Sequence, residues 1–121
     1  MIELILNQIK EKMEEICAKV FYGMVDDSFR ETIWEYIVFN RVATVPSANK
    51  TSYSDTFAIH YIHENYIPEG VFEDIVEKMC SIDGMRIDGD ATYTYVQKPN
   101  TNAVVEMLSI QFVKPRKKVV K

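Results

Sequence analysis

Apolar positions recur every three to four residues through the opening stretch MIELILNQIKEKMEEICAKV. Ile2, Ile5, Ile9, Met13, Ile16 and Val20 make one stripe, with Glu3, Lys10, Glu11, Glu14 and Glu15 mostly off it. That spacing fits the 3.6-residue helical turn and predicts an amphipathic helix. VFYGM follows as a brief strand or extended link, because Gly23 and the pair Asp26 and Asp27 interrupt anything longer. The period then changes. TIWEYIVFNRVATV mixes β-branched and aromatic residues on both faces, as a strand in the middle of a sheet does, and Pro46 ends it.

PSANKTS supplies a polar link. YSDTFAIHYIHENY then alternates, with Tyr53, Phe57, Ile59 and Tyr61 on one face and Thr56, Ala58, His60 and Ile62 on the other. The two strands predict an antiparallel hairpin whose loop is longer than a tight turn needs. From Pro68, PEGVFEDIVEKMCSIDG sets Phe72, Ile75, Val76 and Met79 at helical spacing, with Glu69, Glu73 and Asp74 near its start and Gly84 as its stop. The remainder predicts a short strand, a turn at Asp88, Gly89 and Asp90, and two strands joined by KPNTN, with Pro115 stopping the last. The order α, short β, β, β, α, short β, β, β predicts an α+β two-layer sandwich: a mostly antiparallel sheet with two helices on one face. Residues 1–113 make one domain, and 114–121 a basic, flexible C-terminal tail.

Composition narrows the class without changing this picture. A chain of 121 residues suits one core, and its 47% apolar and 26% charged residues exclude a disordered or fibrous chain. No apolar run approaches the roughly 20 residues a membrane-spanning helix requires, and acidic residues run through what would have to be a leader's apolar core. The expectation is a protein made in the cytosol. Cys17 and Cys80 lie far apart with no C-x-x-C and no zinc-finger histidine, which predicts two buried free thiols.

Charge does change it. KPRKKVVK holds Lys114, Arg116, Lys117, Lys118 and Lys121 without an acid, leaving nine bases against eighteen acids in the rest of the chain. The body repels nucleic acid while the tail attracts an anionic partner. An RNA-binding sheet needs a positive surround, and the RNP1 pattern is missing.

Candidate chemistry is sparse. His60 and His63 are three apart on a strand, so their rings face opposite ways and share neither a metal nor a proton. A general base also needs a substrate group or nucleophile within hydrogen-bond reach. Asp26, Asp27, Asp88 and Asp90 are turn residues before they are metal ligands, since the EF-hand alternation and its terminal Glu are absent. No glycine-rich phosphate loop, nucleophile elbow or H-E-x-x-H occurs. The expectation is a non-enzyme with no cofactor and no metal. Tyr36, Tyr53, Tyr61, Tyr66, Tyr93 and Tyr95, with Trp34, fall on predicted strands or at their ends. Half of them pack under the helices on one reading; on the other, the second face of the sheet is a contact surface.

Several stretches, taken in order, resemble the small tail terminator, or tail completion, proteins of long-tailed bacteriophages and prophages. They are KVFYGMV after the first helix, WEYIVF, DTFAIHYIHENY, EGVFEDIVEKM and the terminal ATYTYVQKPNTNAVVEMLSIQFV. The likeness covers nearly the whole chain and consists of patterns and order. It departs from the commonest form in lacking a Pro before the WEYIVF run. The resemblance implies a structural virion protein at the head-proximal end of the tail. Such proteins form a ring, usually six-fold, that caps the tail tube, stops its polymerisation and presents a docking surface to the head connector.

On that reading the partners are other copies of the chain, the tail tube protein and the head connector or stopper protein. DNA passes through the ring without specific recognition. The interface candidates are the hairpin loop Val45, Pro46, Ser47, Ala48, Asn49, Lys50, Thr51 and Ser52, and the basic tail Lys114, Arg116, Lys117, Lys118 and Lys121. The alternatives are a head-completion adaptor or stopper and, in a different class, a small ligand-binding α+β domain or enzyme. A strongly shifted pKa at His60 or His63 inside a closed pocket would favour the last.

Overall fold

The computed structural model describes residues 3–25, 34–48 and 51–117. Eight elements follow in the predicted order: α1 (Glu3–Glu14), β1 (Val20–Tyr22), β2 (Glu35–Pro46), β3 (Ser52–Glu64), α2 (Val71–Cys80), β4 (Arg86–Ile87), β5 (Thr92–Gln97) and β6 (Val104–Lys117). The strands form one sheet in the order β1-β2-β3-β6-β4, with β5 also on β6. β4 pairs with Phe112 and Val113 of β6 and β5 with Val104 to Ser109, so the two share one edge of β6 end to end. Among the described residues, only β1 with β2 is parallel.

Register explains why this is an α+β sandwich with both helices on one side. Ile37, Tyr61 and Leu108 lie in one row across three strands, Phe39, Ile59 and Ile110 in the next, and Phe57 and Phe112 in a third. Directly opposed residues project to the same face. All eight belong to one buried cluster with Ile9 and Met13 of α1 and Ile75 and Met79 of α2. Each helix therefore contributes an i, i+4 pair, and all four of these residues are fully buried. Burying one such side chain stabilises the fold by roughly 1.5–3 kcal/mol. Lys78 of α2 donates to Glu15 at 2.7 Å and ties the helices at their exposed rim. That bridge holds the Glu15 carboxyl below its usual value and the Lys78 amine above its own.

Three boundaries and one burial differ from the sequence expectation. The apolar stripe of the first helix extends to Val20, but α1 ends at Glu14 and Val20 opens β1 against Ile37. At the break the ladder tightens to i−3 bonds, with the Glu15 and Ile16 amides donating to the Lys12 and Met13 carbonyls. The second helix starts at Val71, after Gly70 at φ 93°, rather than at Pro68; Glu73 and Asp74 in its first turn meet the helix dipole. Cys80 is exposed where a buried thiol is expected, being the last residue of α2 and off the Ile75 and Met79 stripe; Cys17 is buried. Finally, Pro115 does not stop β6, and the basic segment is not a tail from 114 onward. Lys114, Pro115, Arg116 and Lys117 pair with Asp55, Ser54, Tyr53 and Ser52. Proline is tolerated there because β4 reaches only to Val113, leaving β6 with a strand on one side alone.

Replacing Ile110 by Ala should cost about 2–5 kcal/mol, because the vacated volume lies between two strands and a helix layer. The same change at exposed Gln111 on the opposite face should stay within about 0.5 kcal/mol. Urea unfolding of the two variants checks the contrast.

Candidate docking surface

β2, β3 and β6 outrun the rest of the sheet. β1 pairs with β2 only at residues 37–39 and β4 with β6 only at 112 and 113, so Ala43–Pro46, Ser52–Thr56 and Lys114–Lys117 make a three-stranded arm. A bulge at Val42 sets its facing. Arg41 opposes Phe57 and Ala43 opposes Thr56, so the alternation of β2 slips by one and Thr44 and Pro46 join Asp55 and Tyr53 on the helix-side face. Without the slip Thr44 would point away.

The arm carries the charge. Asp55 accepts from Thr44 Oγ1 at 2.7 Å and from Arg116 Nε at 2.5 Å, and the Arg116 guanidinium lies 4.7 Å from the centre of the Tyr53 ring. The ion pair is partly exposed and contributes at most about 1 kcal/mol. Its larger effect is to fix the guanidinium over the tyrosine. Beside it lies a groove of about 340 Å³ lined by Ile5, Arg41, Phe57, Lys114 and Lys117 along with the Asp55–Arg116 pair. Arg41, Lys114 and Lys117 have no acidic partner among the described residues. Four cations thus meet one carboxylate over an apolar floor, on a chain that is acidic overall. Such a surface attracts an anionic partner, and salt weakens the attraction.

The expected interface residues are partly brought together here. Lys114, Arg116 and Lys117 line the groove as strand residues. Val45 and Pro46 belong to β2 and Ser52 to β3, so the projecting loop is shorter than the eight residues expected. Ser47 and Ser52 close it, with the Ser47 amide donating to the Ser52 carbonyl at 2.9 Å and the Ser52 amide to Ser47 Oγ at 3.2 Å. Ala48 and Thr51 are exposed at the turn. Asn49, Lys50, Lys118 and Lys121 lie outside the described residues, as do Asp26 and Asp27. Sequence reasoning missed Arg41, Thr44 and Asp55. Pairing the hairpin strands residue by residue would place Asp55 opposite Thr44, but only with the bulge known.

The histidines face opposite sides, as their spacing requires. His60 sits on the sheet's second face, its Nδ1 2.8 Å from Ser109 Oγ, and half-burial pulls the imidazole below its usual pKa. His63 lies on the helix side with Nδ1 2.7 Å from the Glu64 carbonyl oxygen. The His60–Ser109 pair satisfies two polar groups on an uncovered sheet and stands away from the arm groove. Asp88 and Asp90 flank Gly89 at φ 82° as turn residues, and among the described residues no three His, Cys, Asp or Glu side chains come together.

At the other end of the sheet, Tyr61 donates to Glu35 Oε2 at 2.8 Å. Burial first, then that carboxylate, hold its hydroxyl well above the ordinary tyrosine pKa. Glu64 accepts from Lys98 Nζ at 2.9 Å and from the Trp34 amide at 3.2 Å, which keeps its carboxyl below the usual value. Of the tyrosines, Tyr61 is in the core, Tyr36 and Tyr53 are half-buried, and Tyr66, Tyr93 and Tyr95 are exposed. No protein-family model matches this sequence, and no curated protein matches it either.

Because His60 is held neutral, the unfolded chain takes up a proton that the folded one resists below the ordinary value of 6.5. The contribution of His60 is complete above that pH and is lost as the pH falls below it. Urea midpoints measured from about pH 8 down to about pH 5 should therefore fall more steeply for the wild type than for His60→Asn.

Proposed function

We propose that the chain is a structural virion protein: a tail terminator that assembles into a ring on the tail tube, stops its polymerisation and offers a docking surface to the head connector. The observation that carries the reading is the arm. A three-stranded extension with four cations around an apolar-floored groove runs on past β1 and β4 in a chain that is acidic overall. A ring protomer needs two unlike side surfaces for head-to-tail contact and further faces for its axial partners. The arm and the acidic helix layer are unlike in that sense, with Glu11, Glu14, Glu73, Asp74 and Glu77 all exposed on α1 and α2. The likeness of KVFYGMV, WEYIVF and EGVFEDIVEKM to tail terminators supports the same reading. A predominantly acidic wall also suits a channel that lets DNA pass without gripping it.

The reading is tested by deleting the gene from its phage or prophage, inducing, and measuring tails in the lysate by negative-stain electron microscopy. Detached tails of abnormal, variable length beside DNA-filled heads are expected. Normal tails with empty or leaking heads would move the protein to head completion, and intact infectious particles would refute both roles.

Reversing two charges of the arm, Lys114→Glu with Arg116→Glu, should reproduce the deletion phenotype while leaving the circular dichroism spectrum of the purified protein unchanged. Both side chains lie at the exposed end of the sheet, outside the core cluster.

A further inference from the structure

β5 has an edge unlike any other in the sheet. It reads Thr92, Tyr93, Thr94, Tyr95, Val96, Gln97, with no charge, no proline and no glycine, and all six residues are exposed. One side pairs with β6, and no described strand pairs with the other. Tyr93, Tyr95 and neighbouring Val104 are 48%, 62% and 47% exposed on the helix-side face of this edge, and Val96 is 59% exposed on the other face. β-branched and aromatic residues at an open edge are a template for another strand.

The other open edges are short or guarded, β1 being three residues long. β2 beyond β1 carries the bulge at Val42 and ends in Pro46. β6 beyond β4 presents Lys114, Pro115, Arg116 and Lys117, while β4 is two residues long. Bulges, prolines, edge lysines and short strands all discourage pairing, and β5 has none of them.

We propose that the open edge of β5 pairs with β5 of a second copy, antiparallel about a two-fold axis at Thr94. A two-fold contact sets each strand against itself, so a charged strand repels its own copy and an uncharged one does not. With Thr94 on the axis, Tyr93 lies opposite Tyr95 of the second copy and Thr92 opposite its Val96, aromatic against aromatic and β-branched against β-branched. No other described edge of comparable length lacks a guard, so the strand that matches β5 is β5. The contact goes beyond the ring reading and does not rest on it. β5 lies against residues 104–109 of β6 and the arm begins after Val113, so the two surfaces sit at opposite ends of that strand.

Sedimentation equilibrium of the full chain at micromolar concentration is the test, with Thr94→Lys and Val96→Lys as two independent variants whose folding is checked by circular dichroism. The wild type should form a two-copy species, and each lysine should weaken dimerisation by about tenfold or more. Thr94→Cys in a Cys80→Ser background should give a disulfide-linked dimer, since residues facing each other on the axis lie within bridging distance. A wild type that stays monomeric overturns the proposal, as does a dimer that neither lysine weakens. A larger assembly indifferent to both lysines overturns this contact and leaves the ring reading standing; intact infectious particles after deletion of the gene, with the dimer formed in solution, would do the reverse.

Discussion

β3 is paired along its whole length with β6 and along most of it with β2, and that pairing organises the molecule. Thirteen residues of extended chain are much longer than the stretch two short helices cover. The rows through Phe57, Ile59 and Tyr61 fall beneath α1 and α2 and become the core. On either side the same helix-facing register continues past that cluster, with Ile5 of α1 beside the arm's groove. The chain must supply polar partners there or leave backbone and side-chain groups half-desolvated without compensation. At one end Tyr61 and Glu35, then Glu64, Lys98 and Trp34, do this; at the other, Thr44, Asp55, Arg116 and Tyr53 do. No buried side-chain polar atom among the described residues lacks a partner.

The two ends solve the problem differently, and the difference bears on function. Near Glu64 the carboxylate is enclosed by a cation and a backbone amide, with Lys98 packed 5.4 Å from the Trp34 ring, so the cluster closes on itself. At the arm a single carboxylate pairs with one of four cations, so positive charge is left over. The first arrangement staples the β5–β6 hairpin to the start of β2. The second leaves cations that water solvates and salt screens.

Much of this was legible in the sequence because alternation at period 2 is a strong constraint. The two faces of β3 and the separation of the histidines followed from it, and the order of all eight elements from its contrast with the helical period. What could not be read were places where tertiary pairing overrides a local signal. Val20 continues a helical stripe yet is drawn into β1 by Ile37. Pro115 and the lysines around it look like a solvated end yet are held in β6 by Ser54 and its neighbours on β3, because a proline breaks a strand only where its missing N–H is needed. The arm was hidden for the same reason: Arg41, Asp55 and Arg116 are far apart in sequence, and only the bulge at Val42 puts Thr44 on their face. The tyrosines divided in a way neither sequence reading anticipated. One entered the core, and the two most exposed, Tyr66 and Tyr95, lie in the segment after β3 and on β5 rather than across the second face.

The second face illustrates how a sheet can do without a covering layer. Val105, Ala58, Ile62 and Val113 are 1–9% exposed there although both helices are on the opposite side. Their shelter comes from neighbouring side chains on adjacent strands, helped by rings such as Tyr36 against Phe21 and Trp34. Lateral packing of this kind is one residue thick, so a polar group within it has to be matched by an immediate neighbour. Ser109 stands directly across from His60 and does so. A face already sheltered from within has less apolar surface left to offer a partner than its composition suggests. The apolar surface that remains uncovered therefore lies largely where lateral neighbours run out, at the strand edges.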